Sequence, residues 1–309
     1  MGEDLTKGNL LLLLAAAIWG FSLVSQQAGM EVMGPWSFTA VRCTLSAVAL
    51  FPLMVYAEKK KIKENTDYDW KADTKRTIFP AFLCFLTLGA CIQFQQFGLI
   101  YTGVGKGAFV TAFYIFLTPV IGLFMKKKVS GRMWFAVVLA MAGIYLISMT
   151  GGIGNINPGD MLMLGAALTY AFYLHIVDRY SGRDIIKLSC FQFVFIGLLS
   201  FIPAFVFEPG NITWPHILTT MIPILYAGII SGAGGFTLQM IGQKYTEPNT
   251  ASIILSSETV FSLFAGWLFF REILKPVEYI GCAVMVIAIA LAVIPEKSQT
   301  GNAGQKADR

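Results

Sequence analysis

The sequence has few charged residues, and they are unevenly spread. Of the 309 residues, 13% are charged and 56% are hydrophobic, whereas a soluble globular chain has about 25% charged residues. Long stretches such as Gly8–Ala28 contain no charge at all. This composition excludes an ordinary soluble domain and predicts a polytopic helical membrane protein. The strict apolar-polar alternation of a membrane β-barrel is also missing.

The usual sequence motifs of metal binding, ATP hydrolysis and catalysis are missing too. The five cysteines fall in apolar runs without a C-x-x-C or Cys/His cluster, so no metal site is expected. There is no G-x-x-x-x-G-K-[ST] loop, Ser/His/Asp set or pair of catalytic carboxylates. These absences predict a protein that is not an enzyme and uses no cofactor. The net charge of +5 indicates a basic cytoplasmic side rather than nucleic-acid binding.

Ten hydrophobic segments predict an all-α protein with ten transmembrane helices. Several are close to the ~20 residues that cross the hydrocarbon core. Turn residues such as Gly34-Pro35 and Glu247-Pro248 separate them, and the charged segment Glu58–Arg76 is interpreted as a solvated connector. The predicted spans are 8–28, 35–56, 77–99, 107–125, 132–149, 160–177, 187–207, 215–241, 249–270 and 276–294.

The positions of Lys and Arg predict the orientation of these spans. Most of the 23 basic residues lie in the N-terminus, in the C-terminal tail or in connectors after even-numbered spans, such as Lys126–Lys128. Basic residues concentrate on the cytoplasmic side of a membrane. The sequence therefore predicts that both termini are cytoplasmic, in a bacterial inner (plasma) membrane.

Internal similarity predicts two repeats of five spans each. A shift of 151 positions aligns Gly8–Val24 with Gly159–His175 at seven identical residues, and a shift of 144 aligns Tyr101 with Tyr245. Because five is odd, the second repeat must cross the membrane upside down, as in many secondary transporters. We predict a first repeat over 1–150, a second over 151–295 and a polar cytoplasmic tail over 296–309.

Four segments also carry a resemblance to a known family. They are AAAIWGFSLV, PWSFTAVRCTLSAVALFPL, YTGVGKGAFVTAFYIFLTPVIGLF and YTEPNTASIILSSETVFSLFAGWLFFREILKPVEYIGCAVMVIAIAL. Over nearly the whole chain the sequence resembles the EamA-type ten-helix transporters of the drug/metabolite transporter superfamily. It departs from that pattern at Ser257, where Leu is common, and at Arg271, where Gly is usual.

The resemblance implies secondary transport of a small organic metabolite across the lipid bilayer, by alternating access. Efflux of an amino acid or a similar metabolite, with possible proton or ion coupling, is the first interpretation. Import or export of nucleotide-sugar-like or cationic drug-like substrates is the alternative. A different class, a membrane sensor or scaffold that transports nothing, also stays open.

Three ionisable residues within the spans are candidates for function. Glu258 near the middle of span 9 costs about 3 kcal/mol on insertion, which predicts a substrate or proton contact or a carboxylate fixed by a neighbouring helix. Arg42 is a possible partner for an anion, although a structural role is favoured, either snorkelling to the outer surface or pairing with Glu31 or Glu258. His175 is a possible proton relay, with a helix-end charge cluster as the alternative.

Polar and aromatic side chains recur on single faces of several spans. Such faces suit a central pocket for a small organic molecule, although each residue alone could equally hold two helices together. The predicted cavity residues are Trp19, Ser22, Gln26, Gln93, Gln96, Tyr114, Tyr170, Tyr173, Glu258 and Ser262.

Overall fold

The computed structural model describes residues 2–64, 68–102, 104–148, 156–270 and 275–294. Within these ranges the chain is almost entirely helical and has no strand. Nine helices of this described part are long and apolar enough to cross a membrane, and the remaining predicted span, 249–270, is divided in two. The ten-helix membrane fold is therefore confirmed. The predicted tail 296–309, the boundary at 150 and Arg271 lie outside the described residues.

The helices follow one another with short connections. We call the side of the bundle at which the first helix begins the N-terminal face, and the other side the opposite face. The helices are α1 Gly2–Met33, α2 Pro35–Glu64, α3 Trp70–Tyr101, α4 Val104–Thr111, α5 Tyr114–Phe124, α6 Gly131–Ser148, α7 Pro158–Arg179, α8 Ile185–Phe207, α9 Trp214–Thr219, α10 Met221–Leu225, a π-helical segment Tyr226–Gly235, α11 Phe236–Gln243, α12 Pro248–Leu255, α13 Glu258–Phe270 and α14 Pro276–Val293.

The segment predicted as a solvated connector, Glu58–Arg76, is mostly helical instead. Helix α2 continues through the Lys- and Glu-rich stretch to Glu64, because both residue types favour helix. Helix α3 begins early because the Asp69 side chain accepts hydrogen bonds from the backbone N–H groups of Lys71 and Ala72. Both helices therefore extend well beyond their predicted spans on the N-terminal face.

The buried Lys187 in the first turn of α8 forms ion pairs with the extended ends of α2 and α3. The Lys187 side chain is 1% exposed, and its Nζ lies 2.5 Å from Asp73 and 2.9 Å from Glu58. The Tyr68 hydroxyl lies 2.9 Å from an oxygen of each carboxylate and donates its single proton to one of them at a time. Burial, together with the two neighbouring carboxylates, raises the pKa of the Tyr68 phenol well above its usual range. The phenol therefore stays protonated and acts as a donor.

Two glycines at equivalent positions bring the repeats together. A Cβ on Gly8 of α1 would lie 3.0 Å from the carbonyl oxygen of Gly242, and a Cβ on Gly159 of α7 would lie 2.7 Å from that of Gly98. Gly8 and Gly159 are 151 positions apart, whereas Gly98 and Gly242 are 144 apart. Both shifts are the ones that align the two halves of the sequence. The same close crossing therefore occurs twice, each time between a helix of one repeat and a helix of the other.

The hydrogen bonds beside these glycines repeat as well. Asn9 Oδ1 accepts from the Thr246 hydroxyl at 3.0 Å, and Asp160 Oδ1 accepts from the Thr102 hydroxyl at 3.0 Å. Only the second site carries charge, because Lys106 Nζ lies 2.6 Å from Asp160. The repeats therefore share their geometry but differ in chemistry.

Helix packing has the same two-fold pattern. Helix α1 packs on α11 and α13, and its counterpart α7 packs on α3 and α5. Helix α2 packs on its own counterpart α8, and α6 packs on its counterpart α14. This exchange of partners is what two inverted repeats around a pseudo-two-fold axis require.

One span of each repeat is broken in the middle. Between α4 and α5 the break lies at Ala112–Phe113, and between α12 and α13 it lies at Ser256–Ser257, 144 positions later. The second half-helices begin with Tyr114 and Glu258. The two breaks are therefore equivalent, and each starts a new helix N-terminus in the middle of the membrane span.

The π-helical segment is a third irregular element. Two of its backbone carbonyl groups accept hydrogen bonds from side chains of other helices. Ser46 donates to the Gly228 oxygen at 2.6 Å, and Trp19 Nε1 donates to the Ser231 oxygen at 3.3 Å. Such segments are frequent at functional sites. This one brings α1 and α2 to the same point of the bundle.

We expect Gly159→Ala to destabilise the protein by about 1–3 kcal/mol, because the added methyl group would overlap the backbone of α3. Gly131→Ala is the matched control, since nothing lies within 4 Å of a Cβ at Gly131. The measurement is thermal unfolding in detergent. Equal midpoints for the two variants would contradict the close crossing.

We expect Lys187→Met to destabilise the protein by about 3–5 kcal/mol, since two partly buried carboxylates would lose their counter-charge. The exposed pair Lys60–Glu64 provides the control, and Lys60→Met should change stability by less than about 0.5 kcal/mol. Denaturation of both variants in the same detergent compares them directly. A change in stability as small for Lys187→Met as for Lys60→Met would show that the Lys187 ion pairs do not stabilise the fold.

Candidate functional site

A cavity lies between the two repeats, beside both helix breaks. It extends from the middle of the bundle toward the opposite face and has a volume of about 60 Å³. That volume holds a few water molecules, less than the roughly 300–1,000 Å³ of typical ligand pockets. Its lining residues are Trp19, Gln26, Arg42, Leu88, Cys91, Ile92, Gln95, Thr111, Tyr114, Tyr170, Ser231, Phe236 and Glu258.

Glu258 lies on the cavity wall as the first residue of α13. The break before it is a tight turn in which the Ser257 hydroxyl donates back to the Ile254 oxygen at 2.6 Å. A helix N-terminus carries a partial positive charge, which favours a carboxylate there. The half-buried side chain forms no ion pair within the described ranges. It is thus positioned to meet a cation or a proton in the cavity.

Arg42 lines the same cavity from α2 and is 4% exposed. Its guanidinium lies 5.6 Å from the centre of the Phe38 ring, and its Nε has no hydrogen-bond partner in the described part of the chain. No ion pair to Glu31 or Glu258 is formed between these described residues. A buried cation without an acidic partner is costly. The guanidinium is therefore available to a carboxylate or another anion.

Aromatic rings close the cavity on its N-terminal side. Trp19 and Phe236 are 4.6 Å apart between ring centres, Tyr114 and Tyr170 are 4.9 Å apart, and Tyr173 lies 5.8 Å behind Tyr170. We call these five residues the aromatic layer. Because Trp19 and Tyr170 are equivalent in the two repeats, the layer lies close to the pseudo-two-fold axis. It separates the cavity from the N-terminal half of the bundle.

Six of the predicted site residues line the cavity. They are Trp19, Gln26, Arg42, Tyr114, Tyr170 and Glu258. Helix breaks, an aromatic pair on the axis and two opposite charges thus meet in one place. The sequence alone indicated these residues because each is polar or aromatic inside an apolar span.

The other predicted residues do not line the cavity; Ser262 and Gln96 join neighbouring helices, whereas Ser22 is bonded within α1. Ser22 accepts from Gln26 Nε2 at 3.4 Å, and Ser262 donates to the Gly20 oxygen at 2.9 Å. Gln96 Nε2 donates to the Thr39 hydroxyl at 2.8 Å. Neither Gln93 nor Tyr173 is among the lining residues.

His175 also lies away from the cavity, toward the N-terminal face. Its Nε2 is 2.9 Å from the Thr118 oxygen, and since a carbonyl only accepts, this nitrogen must carry the proton. The other nitrogen, Nδ1, has no partner among the described residues.

Several lining residues were not predicted from the sequence, because the predicted polar face of α3 was one position out of register. The cavity contacts Leu88, Cys91, Ile92 and Gln95, which recur at the i, i+3, i+4, i+7 spacing of one helix face. Gln95 is as polar as Gln93 and Gln96, so composition could not choose between them. Phe236 and Ser231 were missed because nothing in the sequence distinguishes them from ordinary membrane residues.

No set of three or more His, Cys, Asp or Glu side chains that could hold a metal ion occurs in the ranges the structure describes. The polar groups of the cavity are instead amides, hydroxyls and two opposite charges. These groups are suited to a small organic molecule.

Comparison with known proteins gives the family. The sequence profile of the EamA-like transporter family matches residues 6–149 and 157–294. The chain belongs to this family. Each match covers one five-span half of the fold, which agrees with the repeated helix crossings and breaks. The protein is therefore a multi-pass membrane transporter of the drug/metabolite transporter superfamily, and the resemblance noted from the sequence is confirmed.

Individual relatives of this EamA-like transporter are distant. An uncharacterized transporter of Archaeoglobus fulgidus is 28% identical over 291 residues, covering 92% of this chain and 84% of that protein. The threonine/homoserine exporter RhtA of Escherichia coli K12 is 23% identical over 212 residues, covering 63% and 70% respectively. A solved crystal structure at 16% identity matches 93% of this chain and 96% of its own with a TM-score of 0.73, which shows the same fold.

Removing the buried cation should not destabilise the transporter. We expect Arg42→Met to leave the free energy of unfolding unchanged or to raise it by about 1 kcal/mol, because an unpaired buried charge is replaced by an apolar chain of similar length. Ser46→Ala, one helical turn away, should lower it by about 1 kcal/mol through loss of the 2.6 Å bond. Thermal unfolding in detergent measures both. Marked destabilisation by Arg42→Met would make this arginine a structural residue.

Proposed function

We propose that this EamA-like transporter exports amino acids or similar zwitterionic metabolites by alternating access. The observation that carries the proposal is that Arg42 and Glu258 line one cavity and do not pair with each other. An α-amino acid has a carboxylate for the guanidinium and an ammonium group for the carboxylate. The aromatic layer would contact its side chain.

Two further observations support this substrate class. A guanidinium binds a carboxylate through two parallel hydrogen bonds, which favours planar acids over other anions. The distant relative RhtA is an exporter of threonine and homoserine, which are also small zwitterions. A cationic drug-like substrate would need Glu258 and the aromatic rings but would leave Arg42 buried without a partner.

We also propose an orientation and a division of the chain. The N-terminal face carries Lys59–Lys63 and Lys126–Lys128, so it would face the cytoplasm of a bacterial cell. The cavity of the present conformation would then lie on the outer side. The two matched segments support repeats over 1–150 and 151–295. Glu258, and His175 nearer the cytoplasm, are the groups we assign to possible proton coupling.

The test is counterflow in proteoliposomes with labelled L-threonine as the probe. Unlabelled L-threonine should drive uptake, whereas its decarboxylated amine and its deaminated hydroxy acid should drive it at least tenfold less, because each lacks one charge. Arg42→Gln should weaken L-threonine exchange by roughly thirtyfold, the loss of a charged hydrogen bond worth about 2 kcal/mol. Equal competition by the amine would support a cation transporter instead.

Glu258→Gln should also lower exchange at least tenfold and flatten its dependence on pH, since the variant side chain cannot titrate. Glu31→Gln is the matched control, because Glu31 is an exposed glutamate on α1 that does not line the cavity. Exchange rates across a pH series test both variants. Unchanged rate and pH profile in Glu258→Gln would assign this glutamate to the scaffold.

A further inference from the structure

The cavity has a counterpart in the N-terminal half of the bundle. Helices α2 and α8 begin 150 positions apart, and the same shift relates Arg42 to Gln192. The shift of 144 between α3 and α11 relates Gln95 to Gln239. Arg42 and Gln95 line the cavity, whereas Gln192 and Gln239 do not and are both fully buried.

Contacts at the ends of α2 and α8 support this alignment. Glu208, after α8, accepts from the backbone N–H of Ser37 at 2.7 Å. Glu58, in the last part of α2, lies 2.9 Å from Lys187 Nζ. Glu58 and Glu208 are 150 positions apart, and so are Ser37 and Lys187. The two ends of this helix pair are thus joined by equivalent carboxylates.

Both buried glutamines have polar atoms without partners. Within the part of the chain that the structure describes, Gln192 Nε2 and Gln239 Oε1 form no hydrogen bond. Each unpaired buried polar atom costs about 1–3 kcal/mol, so such atoms are rare unless they serve another state or a ligand. Each glutamine uses only part of its amide in the present packing: Gln192 Oε1 accepts from Tyr173, and Gln239 Nε2 donates to Gln243 Oε1. Their presence points to a conformation in which water or substrate reaches them.

The contacts that close this region have no equivalent around the cavity. The Tyr173 hydroxyl donates to Gln192 Oε1 at 3.3 Å. The residues equivalent to this pair are Ser22 and Arg42, and no hydrogen bond joins them among the described residues; the cavity lies at Arg42 instead. Gln243 Nε2 also donates to the Leu174 oxygen at 3.0 Å, tying α11 to α7. The region around Gln192 and Gln239 is therefore closed, whereas the equivalent region around Arg42 and Gln95 is open as the cavity.

We propose that Gln192 and Gln239 line a second substrate site, which opens to the N-terminal face when the aromatic layer parts and the cavity around Arg42 closes. The proposal rests on the transport function proposed above. The second site is neutral where the first has Arg42. The second site would bind a zwitterion through amide hydrogen bonds. The substrate carboxylate would meet a guanidinium only in the first site, at Arg42.

Thiol labelling tests the site without any substrate. In a variant whose five native cysteines are replaced by Ala or Ser, Gln239→Cys should react with a membrane-impermeant maleimide added at the N-terminal face, and at least tenfold more slowly from the other. Gln95→Cys, its repeat counterpart, should show the reverse preference. Tyr173→Phe in the Gln239→Cys protein should speed labelling severalfold, because it removes a closing hydrogen bond.

Transport measured separately at each face gives the second test. In vesicles of defined orientation, Gln239→Leu should raise the KM for L-threonine about tenfold at the N-terminal face and less than twofold at the opposite face. Gln95→Leu should raise it mainly at the opposite face. Gln96→Leu is a control for loss of an interhelical amide, since Gln96 bonds Thr39 and does not line the cavity, and it should have no preference for either face.

The outcomes separate the two proposals. Labelling of Gln239→Cys from the N-terminal face supports the second site even if the wild-type protein fails to exchange L-threonine, a failure that would count against the proposed function alone. Absence of labelling from either face in a protein that still transports overturns the second site. Equal changes of KM at both faces for Gln239→Leu would overturn it as well.

Discussion

The structure depends on one constraint: in hydrocarbon, every backbone polar group needs a partner within the protein. The two broken spans meet it with tight turns, at Ala112–Phe113 and Ser256–Ser257, where backbone N–H groups bond the carbonyl three positions back. At the second break the hydroxyls of Ser256 and Ser257 also donate to freed carbonyls. The π-helical segment meets it with side chains from α1 and α2. These irregular elements surround the cavity, which accords with the rule that irregular backbone at membrane depth is found inside the protein or beside water.

The helix breaks also explain how a charged side chain is tolerated in the middle of a membrane span. Glu258 begins a helix and benefits from the positive end of its dipole, while its repeat counterpart Tyr114 joins the aromatic layer. Arg42 has no such compensation and no acidic partner among the described residues. If Arg42 binds substrate as proposed, this cost in stability is what function requires there, as at many binding sites.

Duplication gave the two halves one geometry, and substitution has since given them different chemistry. The crossing at Gly8 carries a neutral pair, Asn9 and Thr246, whereas the crossing at Gly159 carries the charged pair Asp160 and Lys106. Arg42 likewise corresponds to the neutral Gln192. A carrier with identical halves would present the same surface to both sides of the membrane. Different charges at equivalent positions make the two sides of the fold electrostatically unequal, which would let a transported molecule bind them with different affinity.

The sequence by itself determined the membrane class, the number of spans, the repeat and six lining residues, because hydrophobic length and an isolated charge or ring in an apolar run are local signals. The tertiary structure decided the rest. It chose Gln95 over Gln93 and Gln96, since the phase of α3 depends on what packs against it. It turned part of Glu58–Arg76 into helix, where Lys187, more than a hundred positions away, supplies the counter-charge. It also placed a helix break at Ala112–Phe113, where neither residue is a proline or glycine that would predict one. Only the assembled bundle brings the two half-helices to the axis between the repeats.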